Sequence, residues 1–218
     1  MAKLEWDKTG ERRYELGVDH GVLYVAKDTD PYGSASVWNG LTQVSESPEG
    51  GEIEKKYADN IEYFGLQSLE EFKATIEAYT YPDEFVTEGC DGTDMLATGL
   101  YLGQQTRTQF GFSYRTKVGN DVDGQDAGYK IHLVYGCLAS PSEKTRETIN
   151  DSPDVITFSW EISTTPVEVT GHKPTAHLIV DSTKVTAAKM TALEAVLYGG
   201  DNTDARMPLP DEVKTLLT

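Results

Sequence analysis

Over residues 72–81 the chain alternates: Phe72, Ala74, Ile76 and Ala78 fall on one side, and Lys73, Thr75, Glu77 and Tyr79 on the other. A period of two fits a half-buried β-strand and not a helix. Pro82 ends the run because proline has no N–H to give to a ladder. The same period returns twice at greater length. Over residues 106–118, Phe110, Phe112 and Tyr114 oppose Arg107, Gln109, Ser113, Arg115 and Lys117. Over 129–139, Tyr129, Ile131, Leu133 and Tyr135 oppose Lys130, His132 and Val134. Both predict long antiparallel strands with one wet face.

Shorter alternating runs fill out a sheet. Residues 13–27 read as two strands around Asp19-His20-Gly21, and further strands fall at 37–44, 53–57, 61–66 and 175–181. Ile156, Phe158, Trp160 and Ile162 form the apolar stripe of another at 155–164. Turn chemistry marks residues 28–34, 45–51 and the tight Ala58-Asp59-Asn60. Residues 67–71 suggest a short helical turn, 82–103 an irregular stretch, and 119–128 a flexible acidic loop. One helix is clear: Val185, Ala188, Met190, Leu193, Val196 and Leu197 form its stripe, Ser182 or Thr183 its cap, and Gly199-Gly200 its end. A short helical segment follows Pro210. The expected fold is mainly β: an antiparallel sandwich or partly closed barrel flanked by one α-helix, in a single unit over residues 1–218.

Charge narrows the function. The formal net charge is −17, and between Gln43 and Gly92 thirteen acidic residues face three basic ones, Lys55, Lys56 and Lys73. Such a surface repels phosphate and cannot hold DNA by counterion release; it also keeps a protein dispersed. No apolar run approaches membrane-spanning length, and the start, Met1 to Lys8, lacks the apolar core of a secretory leader. Cys90 and Cys137 do not form a disulfide framework and read as two partly buried thiols of a reducing compartment.

Motifs for chemistry are nearly lacking. There is no phosphate-binding glycine loop and no nucleophile elbow; the expectation is no enzyme, no cofactor and no metal. His172 and His177 are wrongly spaced for a helical zinc pair, and His20 and His132 have no recognisable partners. Asp121, Asp123 and Asp126 hint at calcium, but Lys130 stands where the bidentate acid would be. Acidic pairs such as Asp83/Glu84 and Glu70/Glu71 would serve glycoside hydrolysis only at a fixed separation across a cleft.

Four blocks together resemble the major tail protein, or tail tube protein, of long non-contractile-tailed phages of Gram-positive hosts. They are Glu77-Ala78-Tyr79-Thr80-Tyr81-Pro82-Asp83-Glu84-Phe85, Phe110-Gly111-Phe112-Ser113-Tyr114-Arg115-Thr116, Gly128-Tyr129-Lys130-Ile131-His132-Leu133-Val134-Tyr135-Gly136 and Phe158-Ser159-Trp160-Glu161-Ile162-Ser163-Thr164-Thr165-Pro166. Trp38-Asn39-Gly40-Leu41 and Tyr57-Ala58-Asp59-Asn60 belong to the same pattern. The resemblance implies a virion protein, made in the host cytoplasm, that polymerises as stacked, six-membered rings into a tube through which double-stranded DNA passes without adhering. The partners it implies are further copies of the chain, a tape measure protein, a tail-tip or distal tail protein and a tail terminator.

Within the resemblance, acidic side chains on the lining discourage DNA adhesion, and Glu52, Glu54, Glu62 and Glu77 are the candidates for it. The inter-ring loop falls on Gly119, Asn120, Asp121, Asp123, Gly124 and Asp126. Terminal arms fall at about 1–12 and 201–218, with contacts through Leu4, Trp6, Leu209, Val213 and Leu216. Two other classes stand beside this reading. A carbohydrate-binding β-sandwich would stack sugars on Trp38, Tyr79 and Tyr81, and an acidic hydrolase would need converging carboxylates.

Overall fold

The computed structural model describes residues 3–27, 30–146, 148–149, 155–200 and 203–218. Its elements are β1 (Tyr14–Lys27), β2 (Asp30–Trp38), β3 (Leu41–Glu46), β4 (Glu49–Gly50), β5 (Ile53–Ala58), β6 (Ile61–Gln67), β7 (Glu70–Glu71) and β8 (Lys73–Ala78). There follow α1 (Asp83–Thr87), β9 (Asp94–Ala97), β10 (Leu100–Leu102), β11 (Phe110–Asn120), β12 (Gly124–Ala139), β13 (Phe158–Thr164), β14 (His177–Asp181), α2 (Ala187–Tyr198) and α3 (Pro210–Leu217). The main sheet is antiparallel and eight-stranded, ordered β2-β1-β11-β12-β13-β8-β3, with β14 also paired to β12. It does not close into a barrel.

The long β12 explains the branch. Cys137 to Ala139 pair with β13, whereas Lys130 to Val134 pair with β14. One strand therefore belongs to both halves of the sheet. Two cores lie on its two sides, and the period-two alternation sorts side chains between them. Leu23, Val25, Phe110, Phe112, Tyr114 and Val134 enter the first, with Trp38, Ile76, Phe85, Trp160 and Ile162. Val22, Tyr24, Ile131, Leu133 and Tyr135 enter the second, under Met190, Leu193 and Leu197 of α2 and Val213 of α3. Part of the expected wet face of the central strands, Ser113, His132 and Val134, is thus buried as well. Gly111 and Ser113 on that side of β11 are small for this reason: a Cβ on Gly111 would stand 2.1 Å from the Met207 methyl, and Ser113 meets the Tyr24 hydroxyl at 3.3 Å.

Trp38 centres the first core. Its ring lies 4.9 Å from Phe85, 5.5 Å from Phe112 and 5.4 Å from Trp160, and its indole N–H donates to the Thr80 carbonyl at 3.0 Å. The contact joins β2, α1, β11 and β13, and it places the Pro82 break against the core.

Several sequence expectations change. The stretch read as two strands forms one, Tyr14–Lys27, irregular near His20, which takes φ 51°. Residues 70–71 form a strand and not a helical turn, and 82–103 contain α1 and the β9–β10 hairpin. The acidic stretch from Gly119 to Gly128 is no long loop: β11 and β12 absorb all but residues 121–123, and the Asn120 carboxamide accepts from the N–H groups of Val122 and Asp123 in a tight turn. α2 begins after Thr186 and ends at Gly199, whose φ of 79° suits glycine. The C-terminal segment is not an arm; α3 packs Val213 into the second core, with Leu216 against it. Leu209 stays partly exposed. Asp28, Thr29, Asp201, Asn202, Met1 and Ala2, parts of the predicted turn and arms, lie outside the described residues.

Replacing Trp38 by alanine removes the ring that four elements share. It is expected to lower unfolding free energy by about 3–5 kcal/mol, whereas the same change at the exposed Trp6 stays within about 0.5 kcal/mol. Urea melts of both variants check this.

Candidate functional site

Two features stand apart from ordinary packing. The first is the excursion between β3 and β8. β4 and β7 pair as a neck, and β5 and β6 extend beyond it as a hairpin closed by Asp59 and Asn60, both at positive φ. Every residue of β5 and β6 is exposed. Register puts Ile53 and Tyr63 on one face and Phe64 and Leu66 on the other. A two-stranded hairpin is marginal in water by itself, and this one shows apolar groups on both faces. Leu69 at its base and Leu4 and Trp6 of the N-terminal segment add to the exposed apolar surface. That segment is tied down at Gly10, whose N–H donates to Asp121 Oδ1 at 2.9 Å.

Of the candidate lining acids, the fold separates three from the fourth. Glu54 and Glu62 are on the hairpin, where they pair with Lys56 and Lys55, and Glu52 precedes β5. Glu77 alone is in the main sheet. It shares the polar outer face of β8 with Lys73 and Thr75, opposite Ser159 of β13. The residues proposed for an inter-ring loop are brought together as the β11–β12 turn, near Gly10.

The second feature is a polar cluster around the buried His132 that sequence reasoning missed. Antiparallel pairing sets His132 of β12 beside Tyr114 of β11, and places His177 opposite Val134, on the same face as His132. The last residue of β3, Glu46, reaches over this face. His132 Nδ1 lies 3.2 Å from His177 Nε2 and 3.4 Å from Glu46 Oε1, and His177 Nδ1 lies 3.8 Å from Glu46 Oε2. Tyr114 donates its hydroxyl to Glu46 Oε1 at 2.5 Å. Its ring stacks on His132 at 4.5 Å and 8°, and Phe72 packs on His177 at 4.4 Å. Beyond His132, Thr116 donates to Glu15 Oε1 at 2.5 Å and meets His132 Nε2 at 3.1 Å, while Lys130 pairs with Glu15.

These surroundings set the protonation states. Burial pushes His132 down against the attraction of Glu46 and Glu15; burial likewise pushes His177 down to about 4, with the carboxylate of Glu46 opposing and His132 reinforcing the shift. Burial and the bond to Glu46 push the Tyr114 hydroxyl up, so it stays a donor. Burial raises Glu15, but the hydrogen bonds from Lys130 and Thr116 outweigh it and hold this carboxyl below its usual range. The three donors Glu46, His132 and His177 converge within 4.8 Å of one another, which makes them the metal-competent group among the described residues.

The three rings of the sugar-stacking alternative do not share one exposed face. Trp38 is buried and Tyr81 packs on Phe158 and Trp160, so of the three proposed sugar-stacking rings only Tyr79 faces solvent. Cys90 and Cys137 are free, fully buried thiols in the first core. Burial pushes both up, Cys90 to about 12, which leaves them unreactive. No helix among the described residues is long and apolar enough to cross a membrane.

No family model matches the chain, and no curated protein does. Among solved structures, the chain is similar to one in the six-fold symmetrised cryo-EM structure of the anti-feeding prophage baseplate. The TM-score is 0.36 at 9% identity, over 84% of this chain and 100% of that one.

The histidine cluster dictates a pH response. Unfolded histidines titrate near 6.5, and burial holds the folded His177 neutral down to about pH 4. The unfolded chain therefore binds more protons between these values, and stability falls as pH drops through that window. In chelated buffer the loss is expected to be on the order of 2 kcal/mol for His177. Urea melts between pH 7.5 and 4.5 should show the slope, and H177Q should flatten it.

Proposed function

We propose that this chain is a tail tube subunit, a structural virion protein that polymerises through its own copies into a conduit for double-stranded DNA. The observation that carries the reading is the β5–β6 hairpin. Its apolar residues on both faces find no cover among the described residues, and a second copy is the occupant to which the proposal commits. The main sheet supports it, because among the described residues β2 and β3 end the strand order as two dissimilar edges. Unpaired edges invite strand addition, and a contact between unlike edges is heterologous, so it builds rings or filaments. The sequence blocks that resemble tail tube proteins supply the specific identity, and the net charge of −17 suits a wall that DNA must slide past.

This reading moves the inter-ring contact from residues 119–128 to the hairpin, which projects, and keeps the N-terminal segment with Leu4 and Trp6 as a second contact. Glu77, on an extended polar sheet face, is the retained candidate for the lining. The tape measure, tail-tip and terminator proteins remain proposed partners, and the virion tail the proposed location.

Negative-stain microscopy and light scattering across a concentration series test the proposal, with tail-tip and tape measure proteins co-expressed to nucleate assembly. Rings or tubes with a duplex-wide lumen are expected. I53D and F64D should abolish them while leaving monomer stability within about 0.5 kcal/mol. A chain that stays monomeric even when nucleated overturns the reading. In assembled tubes, E77K should leave the wall intact and slow DNA ejection; an unchanged rate removes Glu77 from the lining.

A further inference from the structure

The cluster of Glu46, His132 and His177, open to solvent at Glu46, has one acceptor too many. The Thr116 hydroxyl has a single proton and gives it to Glu15, so it accepts from His132, whose Nε2 therefore carries the ring proton. The bare Nδ1 then faces His177 and Glu46. A neutral His177 cannot satisfy both neighbours. With its proton on Nε2 it bonds to His132, but its bare Nδ1 looks at Glu46 Oε2 across 3.8 Å. With its proton on Nδ1 it turns toward Glu46, but two bare nitrogens then oppose each other at 3.2 Å. In either tautomer two lone-pair groups face each other beside the buried His132 ring, an arrangement that a cation between them relieves.

We propose that Glu46, His132 and His177 form a binding site for a borderline divalent transition metal, zinc in the first place. Two imidazoles and one carboxylate are ligands that zinc, cobalt and nickel prefer and that calcium and magnesium do not. The spacing agrees: ligands about 2.0–2.1 Å from a tetrahedral zinc stand about 3.3 Å apart, and the closest donor separations here are 3.2 and 3.4 Å. Outer partners are in place. Thr116 fixes the His132 tautomer, Tyr114 holds Glu46 by its hydroxyl, and the rings of Tyr114 and Phe72 clamp the two imidazoles, the support that metal-binding histidines and carboxylates need. Glu46 is half-exposed, which gives the ion an entry path.

The site joins the end of edge strand β3 to β12 and β14, across the mouth of the first core. Its role is a staple: metal bound by the folded chain adds its binding free energy to folding. The strand it fixes runs directly into the β4–β7 neck of the hairpin, so the metal also sets where the hairpin leaves the sheet. The metal proposal does not depend on tube assembly.

Titration of the chelated full chain with zinc by calorimetry, and with cobalt by its visible ligand-field absorption, tests the site. One equivalent is expected to bind, with a tetrahedral or five-coordinate cobalt spectrum and a raised melting temperature. E46Q and H177Q should each weaken binding by about 100-fold or more, and T116V, which removes only the outer partner, by about 10-fold. H172Q, outside the cluster, should change nothing. Melting of each metal-free variant separates lost binding from lost folding. No stoichiometric binding by the intact chain, or binding that survives both E46Q and H177Q, overturns the proposal.

Discussion

Burial of the β11–β12 hairpin on both faces is the constraint on which the rest of the molecule depends. Alternating side chains of these two strands go to different cores, so each face requires its own cover. The face carrying Phe110, Phe112 and Tyr114 is covered by the sheet curling over it through β13, β8 and β3, with Trp38 as the shared aromatic contact. The face carrying Ile131, Leu133 and Tyr135 is covered by α2 and α3. A sheet half-wrapped on itself with helices behind it follows from those two demands, and the C-terminal segment is held as a component of the second core.

The same curl produces both unusual features. Bringing β3 over β11, β12 and β14 puts Glu46 beside two histidines, and it leaves β3 as an edge whose continuation projects as the neck and the β5–β6 hairpin. Core closure, the polar cluster and the exposed arm are thus mechanically linked. An event that fixes or loosens Glu46 acts at the base of the arm that the assembly reading uses.

Much of the sheet was legible from residues alone, because a period of two survives wherever a strand has distinct faces. The alternation at Phe72 to Ala78, the tight turn at Asp59-Asn60 and the helix ended by Gly199 all appear as read, whereas β8 stops at Ala78, before Pro82, which instead precedes α1. What failed shares a cause. Lys130, His132 and Val134 look like a wet face because two of the three are polar, yet His132 is buried by partners far away in the chain. The acidic stretch at 119–128 looks like a loop because glycine and aspartate dominate it, yet cross-strand pairing extends β11 and β12 almost to their turn. Val213 and Leu216 look like an arm because they follow a polar segment, whereas an available apolar face captures them.

The sequence by itself determined the class: an antiparallel, β-rich chain with strong negative charge, its strands set by side-chain period and its turns by glycine, proline and asparagine. These are local properties, fixed by backbone geometry and by the number of apolar residues each strand offers. Which strand lies beside which was decided only by the tertiary structure. His132 and His177 are 45 residues apart and Glu46 is far from both, so no spacing rule could join them. The register of β12 on β14 and the curl of β3 set their donor atoms within 4.8 Å, because long-range pairing, unlike periodicity, is chosen by how whole faces bury one another.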